Sequence, residues 1–178
     1  MILKHTGFEQ LLLIHQNKSI DRRGFFKEIF KKELLEAELN YKLNFCQSNF
    51  VKSNLNVLRG LHYQIEPYAQ SKLISVFSGK ILDVAVDIRK HSETYGQYFS
   101  YFMSEEDNVS LFIPKGFAHG YISLSENTII NYLVDNDYNP KMERGILFSD
   151  EYLKINWNVD IDKIIVSKKD SNFDKFKW

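Results

Sequence analysis

The sequence predicts an all-β domain, an antiparallel sandwich or barrel with little helix. Three observations carry this. Short apolar runs succeed one another from residue 24 to residue 134, joined by turn-like stretches. Several of them alternate cleanly with polar residues, at the period of a strand. Only one segment has helical spacing. Strand after strand with tight turns argues against a βαβ arrangement. Composition does not choose between sandwich and barrel.

The elements follow in order. GFFKEIF (24–30) reads as a strand. KKELLEAEL (31–39) is the helical segment, with Leu34, Leu35 and Leu39 on one face. LNFCQSNF (43–50), VLRGLHYQ (57–64) and KLISVF (72–77) read as strands. FSGKIL (77–82) sets Ser78-Gly79 between two apolar runs, which predicts a hairpin turn. ILDVAVDI (81–88) places Leu82, Val84, Val86 and Ile88 on one side and Asp83 and Asp87 on the other. QYFSYFM (97–103), VSLFIP (109–114), HGYISLS (119–125) and TIINYLV (128–134) complete the set. The three prolines, Pro67, Pro114 and Pro140, stand beside polar or turn-like stretches.

A chain of 178 residues with no repeat and no low-complexity linker is read as one domain, residues 1–178. Lys+Arg and Asp+Glu both number 23, so no basic excess points to nucleic acid; an anion must be met by a local cluster. Cys46 is the only cysteine, which excludes an internal disulfide and a cysteine-based zinc site. No run approaches the ~18 apolar residues of a membrane span, and MILKHTGFEQ lacks a signal-peptide core. The expectation is a cytoplasmic protein with no membrane partner.

His5, His15, His62, His91 and His119 show neither HxH nor HExxH spacing, so no metal site is expected. No glycine-rich phosphate loop is present. What remains is a set of polar residues inside strand-like segments: Arg23, Gln47, Arg59, His62, Lys72, His119 and Tyr132. Each has a bland reading, as a solvated strand residue, a turn cap or a core tyrosine satisfied at its rim. Arg59 and His62 pose a sharper problem. Strict alternation sends them to opposite faces of one strand. They serve one cavity only if Gly60 permits a bulge, or if Arg59 reaches across a subunit boundary.

The segments DRRGFFKE (21–28), NVLRGLHYQ (56–64), KILDVAVDIRKHSETYGQ (80–97), FIPKGFAHGYISLSE (112–126) and YLVDNDYNPKMERGI (132–146) stand in a familiar order. In them the chain resembles the dTDP-4-dehydrorhamnose 3,5-epimerases of deoxysugar biosynthesis, from about residue 8 to about residue 170. The pairing of RGLHYQ with PKGFAHGY is the most specific part. The resemblance implies a metal-free, cofactor-independent double-stranded β-helix, a cupin-type jelly roll with a few short helices. It also implies a homodimer that exchanges strands and ligand contacts, and a dTDP-linked 4-keto-6-deoxy sugar as substrate.

That chemistry makes sense of the residue list. Protons on C3 and C5 of a 4-keto sugar are both α to the carbonyl, so a base removes either one. Reprotonation from the other face inverts the centre. Such a site needs a base, an acid opposite it and a cation at the oxyanion. By the family match His62 is the base, as an imidazole titrating near ~6.5 suits. Asp170, in VSKKD, orients it; Tyr132 is the acid; Lys72 stabilises the enolate. Arg23 and Arg59 match phosphate-binding positions, and Gln47, His119 and Tyr138 match other ligand-contacting ones. Leu133 replaces a usual lysine and Ser75 a common arginine, which leaves open whether one carbon or two are inverted. A non-catalytic sugar-binding jelly roll is the remaining rival, and the His62–Tyr132–Asp170 set argues against it.

Overall fold

The computed structural model describes residues 1–177. Two six-stranded, mainly antiparallel sheets face each other. The first runs β1 (Ile2–His5), β2 (Leu12–His15), β10 (Val109–Ile113), β7 (Lys72–Ser78), β12 (Thr128–Val134) and β5 (Gln47–Ser53) in spatial order. The second runs β13 (Glu143–Gly145), β6 (Val57–Gln64), β11 (Phe117–Ser123), β8 (Lys80–Asp87) and β9 (Tyr98–Ser104). Short β14 (Ile165–Val166) adds to β6 in parallel. A separate hairpin pairs β3 (Lys18–Asp21) with β4 (Gly24–Lys27), and α1 spans Lys32–Leu39. The strand order of both sheets interleaves distant parts of the chain, as the jelly-roll expectation requires.

Alternation assigns each strand's two faces to different cores. Ile74, Val76, Leu111 and Ile130 of the first sheet meet Ile81, Ala85, Phe117 and Tyr121 of the second, filling the space between the sheets. Outside the first sheet, Leu12, Ile14, Leu73 and Phe112 pack under α1 through Leu35 and Leu39. Burial of those two leucines contributes about 2 kcal/mol each. Their neighbour Leu34 is turned outward and 41% exposed, so the buried helix stripe is narrower than the spacing predicts. Outside the second sheet, Leu82, Val84 and Val86 meet Leu153, Trp157 and Phe176 of the C-terminal segment. Strand β8 is therefore buried on both faces, and Asp83 and Asp87 are buried with it.

The Ser78-Gly79 turn is not a hairpin. Strand β7 pairs with β10 and β12, whereas β8 pairs with β11 and β9, so the chain passes here from one sheet to the other. Gly79 has φ +78°, and a Cβ on it would lie 2.7 Å from Thr128 Oγ1. Turn chemistry marks the reversal but not the partner. No helix among the described residues is long and apolar enough to cross a membrane.

Candidate active site

Between the sheets lies a cavity of about 520 Å³, within the usual size of small-molecule sites. His62, Arg59, His119, Lys72, Tyr132, Tyr138 and Asp170 all line it. His62 and Arg59 come from β6, and His119 from β11, all in the second sheet. Lys72 from β7 and Tyr132 from β12 come from the first. The imidazole and the phenol thus enter one cavity from opposing walls.

The parity problem is solved within one chain. Residues 62 and 59 of β6 face residues 119 and 121 of β11, so β6 carries one extra residue. This bulge turns Arg59 and His62 to the same side. Gly60, inside it, has φ +132°, and the Gly60–Leu61 peptide is cis. A Cβ at Gly60 would lie 2.5 Å from Gly120 Cα, so the two backbones touch where any side chain would part them.

His62 Nε2 lies 2.9 Å from Asp170 Oδ1, while Asp170 Oδ2 accepts the Gly60 N–H at 3.1 Å. Burial works to raise the Asp170 pKa. Hydrogen bonds and charge from His62, with the Gly60 and Ser167 contacts, outweigh it and hold the carboxyl below its usual range. An ionised carboxylate only accepts, so Nε2 is the donor of this bond, and Nδ1 is the nitrogen that bears the lone pair in the neutral form of the ring.

A second pair stands beside the first. His119 Nε2 lies 3.0 Å from both oxygens of buried Asp83. Burial lowers the His119 pKa more than Asp83 raises it, so the ring is neutral at pH 7. Burial also brings the Lys72 ammonium down to about 8, against the pull of Asp83 and Glu143. Tyr132 is pushed up, first by burial and then by Tyr121, with Arg59 opposing. Its phenol is protonated at neutral pH.

Toward the mouth, Arg59 Nε donates to Ser53 Oγ at 3.2 Å, and Ser53 shares a 2.9 Å hydrogen bond with the Tyr121 hydroxyl. The Tyr138 hydroxyl donates to Glu143 Oε2 at 2.7 Å, and Lys169 pairs with the same oxygen. Two expected ligand residues are not at the cavity. Arg23 sits on the β3–β4 hairpin, 85% exposed and paired with Asp21. Gln47, at the start of β5, donates to Asn49 Oδ1. Asp83, Tyr121, Glu143 and Lys169 join the site through these contacts without being among the candidate residues that the sequence singles out. Only Asp83 carried a signal: a carboxylate inside the apolar run ILDVAVDI needs a buried partner. Among the described residues, no three His, Cys, Asp or Glu side chains converge so as to hold a metal ion.

The family model for dTDP-4-dehydrorhamnose 3,5-epimerase matches residues 5–177. The chain belongs to this family. It is 46% identical over 171 residues to a dTDP-4-dehydrorhamnose 3,5-epimerase of Shigella flexneri, covering 96% of this chain and 93% of that one. A crystal structure of the Elizabethkingia anophelis dTDP-4-dehydrorhamnose 3,5-epimerase superposes with a TM-score of 0.95 at 38% identity, covering 99% of this chain and 96% of that one. The Legionella pneumophila dTDP-6-deoxy-D-glucose-3,5-epimerase, crystallised in complex with dTDP-4-keto-L-rhamnose, gives 0.92 at 38% identity, with coverages of 98% and 92%. The two positions at which this epimerase-family chain departs from the expected pattern lie away from the cavity lining. Leu133 packs under α1, and buried Ser75 shares a hydrogen bond with Ser110.

Proposed function

We propose that this chain epimerises a dTDP-linked 4-keto-6-deoxyhexose at C3 and C5. The observation that carries the proposal is the opposed placement of His62, held by Asp170, and Tyr132 in one cavity. His62 Nδ1 takes the proton α to the ketone, and Asp170 stabilises the imidazolium. The electron pair moves onto the C4 oxygen, where Lys72, mostly charged at pH 7, meets the enolate. Tyr132 delivers a proton to the other face, the C=O re-forms and the centre is inverted. Each inversion removes one proton and returns one, so the step is balanced with no cofactor. Asp83, by raising the Lys72 pKa, keeps the ammonium charged, and neutral His119 lies next to it.

Arg59 is assigned to the diphosphate, whose oxygens match its fork, and Tyr138 to the nucleoside end. Arg23 and Gln47 enter through a second copy in this reading. The β3–β4 hairpin exposes Ile20, Phe25 and Phe26 by 75%, 63% and 72%, an apolar patch beside Arg23 that supports burial in a homodimer. Sedimentation giving only monomer would contradict that part. The nucleotide-linked substrate and the unpaired cysteine favour the cytoplasm.

The deciding experiment incubates the protein with dTDP-4-keto-6-deoxy-D-glucose in D₂O and follows C3 and C5 by NMR. Deuterium at both carbons is expected. Deuterium at C3 alone would make it a single-site epimerase. Bound substrate with neither carbon labelled would refute the enzyme reading.

A further inference from the structure

Glu143 has no part in the proton transfers, yet it holds both sides of the cavity mouth. It opens β13 opposite Gln64 of β6, and its side chain is only 13% exposed. One oxygen, Oε2, accepts from the Tyr138 hydroxyl and from the Lys169 ammonium. Tyr138 belongs to the connection between β12 and β13. That connection is fastened at its base by Gln64, which donates to Asp137 O and accepts the Asn139 N–H. Lys169 belongs to the segment that runs from β14 into Asp170. A single carboxylate therefore ties the loop bearing the rim tyrosine to the segment bearing the partner of His62.

Without Glu143 both groups would be loose, since the Tyr138 residue is 52% exposed and the Lys169 side chain 53%. An exposed Lys–Glu pair is worth little. Here the carboxylate is nearly buried and receives two hydrogen bonds, one of them from a cation, which makes the contact stronger than a neutral one. Burial works to raise the Glu143 pKa, but Lys169, Tyr138 and His62 outweigh it and keep the group ionised.

We propose that Glu143 is a positioning residue of this site, clamping Tyr138 over the cavity and the Lys169–Asp170 segment behind His62. The nucleoside end and the base then move as one unit. This rests on the epimerase reading above. The same charge also reaches Lys72. Facing Lys72 are Asp83 of β8, His62 of β6, His119 of β11, Tyr132 of β12 and Glu143 of β13, with Tyr138, Lys169 and Asp170 beyond. Its β10 neighbour, Ile113, is uncharged.

The test measures kcat and KM against pH, and dTDP affinity by calorimetry, for wild type, Glu143→Gln, Glu143→Asp, Tyr138→Phe and the Gln/Phe double variant. Glutamine still accepts from Tyr138 but offers no charge to Lys169 or Lys72. We expect kcat/KM to fall about tenfold and dTDP binding to weaken. Charged Lys72 is required, so activity is lost as pH rises through its pKa. Removing the Glu143 charge lowers that pKa, and the alkaline limb moves to lower pH. Glu143→Asp should return the limb to its wild-type position. Tyr138→Phe should cost less in the Gln background than in wild type, because both act through one oxygen.

Wild-type kcat/KM with an unmoved limb in Glu143→Gln, or fully additive losses, would overturn the proposal. Should Glu143→Gln not fold, Tyr138→Phe and Lys169→Met replace it: their combined loss must be smaller than the product of the single losses. A wild type that binds dTDP yet exchanges no sugar proton would overturn the epimerase reading instead. The clamp would then be judged on dTDP affinity alone, and unchanged affinity in Glu143→Gln would refute it.

Discussion

Asp170→Asn isolates the hydrogen bond on which the proposed base depends. In the native site the carboxylate accepts from His62 Nε2 at 2.9 Å and from the Gly60 N–H at 3.1 Å. Asparagine has nearly the same shape, so its oxygen keeps the Gly60 contact and its NH₂ faces the imidazole. A donor there forces Nε2 to accept, which moves the ring proton to Nδ1, the atom that must take the substrate proton. The charge that steadies the imidazolium is lost as well. A hydrogen bond to a charged group is worth about 1.5–3 kcal/mol, and ~1.4 kcal/mol is tenfold in rate. The lost charge alone predicts a fall in kcat of about ten- to hundredfold, and the wrong tautomer adds to it. Single-turnover kinetics with dTDP-4-keto-6-deoxy-D-glucose read kcat free of product release. A kcat within about twofold of wild type would refute the assignment of Asp170. The same pair sets an acid limit. The folded Asp170 pKa lies below its unfolded value, so its stabilisation is full above about pH 4 and is lost as pH falls through the folded pKa. Asp170→Asn should lack this acid-sensitive component in thermal melts.

Lys72→Met should lose activity and gain stability at pH 7. The native pKa of about 8 lies below the ordinary 10.5, so the unfolded chain binds the proton more tightly and stability rises with pH between those values. Methionine removes the cost of burying the charge, so Tm rises; a lower Tm would contradict the burial argument. In wild type the same pKa predicts that kcat/KM declines above about pH 8. Gly60→Ala should destabilise by about 3 kcal/mol in urea, because its Cβ would meet Gly120 backbone at a positive φ. A midpoint matching wild type would mean that the bulge tolerates a side chain.

The all-β class was legible because the central strands alternate or run apolar over their full length. Other elements left weaker marks. Strand β2, LLIH, is apolar on both faces, feeding one core with Leu13 and another with Leu12 and Ile14, so it has no period to read. Strand β14 is two residues long and exists only because β6 lies beside it. Ser78-Gly79 was legible as a turn, but sheet membership depends on partners such as β10 for β7 and β11 for β8, 30 or more residues away. At the site, His62, Lys72 and Tyr132 stand out as polar residues in strand-like segments, whereas their roles and Asp170 come from the motif resemblance; the cavity brings all four together. Arg59 was legible, but its facing was not, since strict alternation fails at the bulge. Glu143 and Lys169 sit in KMERGI and VSKKD, segments that carry the resemblance, but nothing in their residue pattern sets these two charges apart until the fold closes them over the cavity.

Tyr132→Phe in D₂O separates proton removal from inversion in one NMR experiment. His62 should still take the sugar proton and return a deuteron to the same face, so C3 and C5 label while no inverted sugar accumulates. Inverted product at the wild-type rate from Tyr132→Phe would contradict a base and an acid acting from opposing sheets.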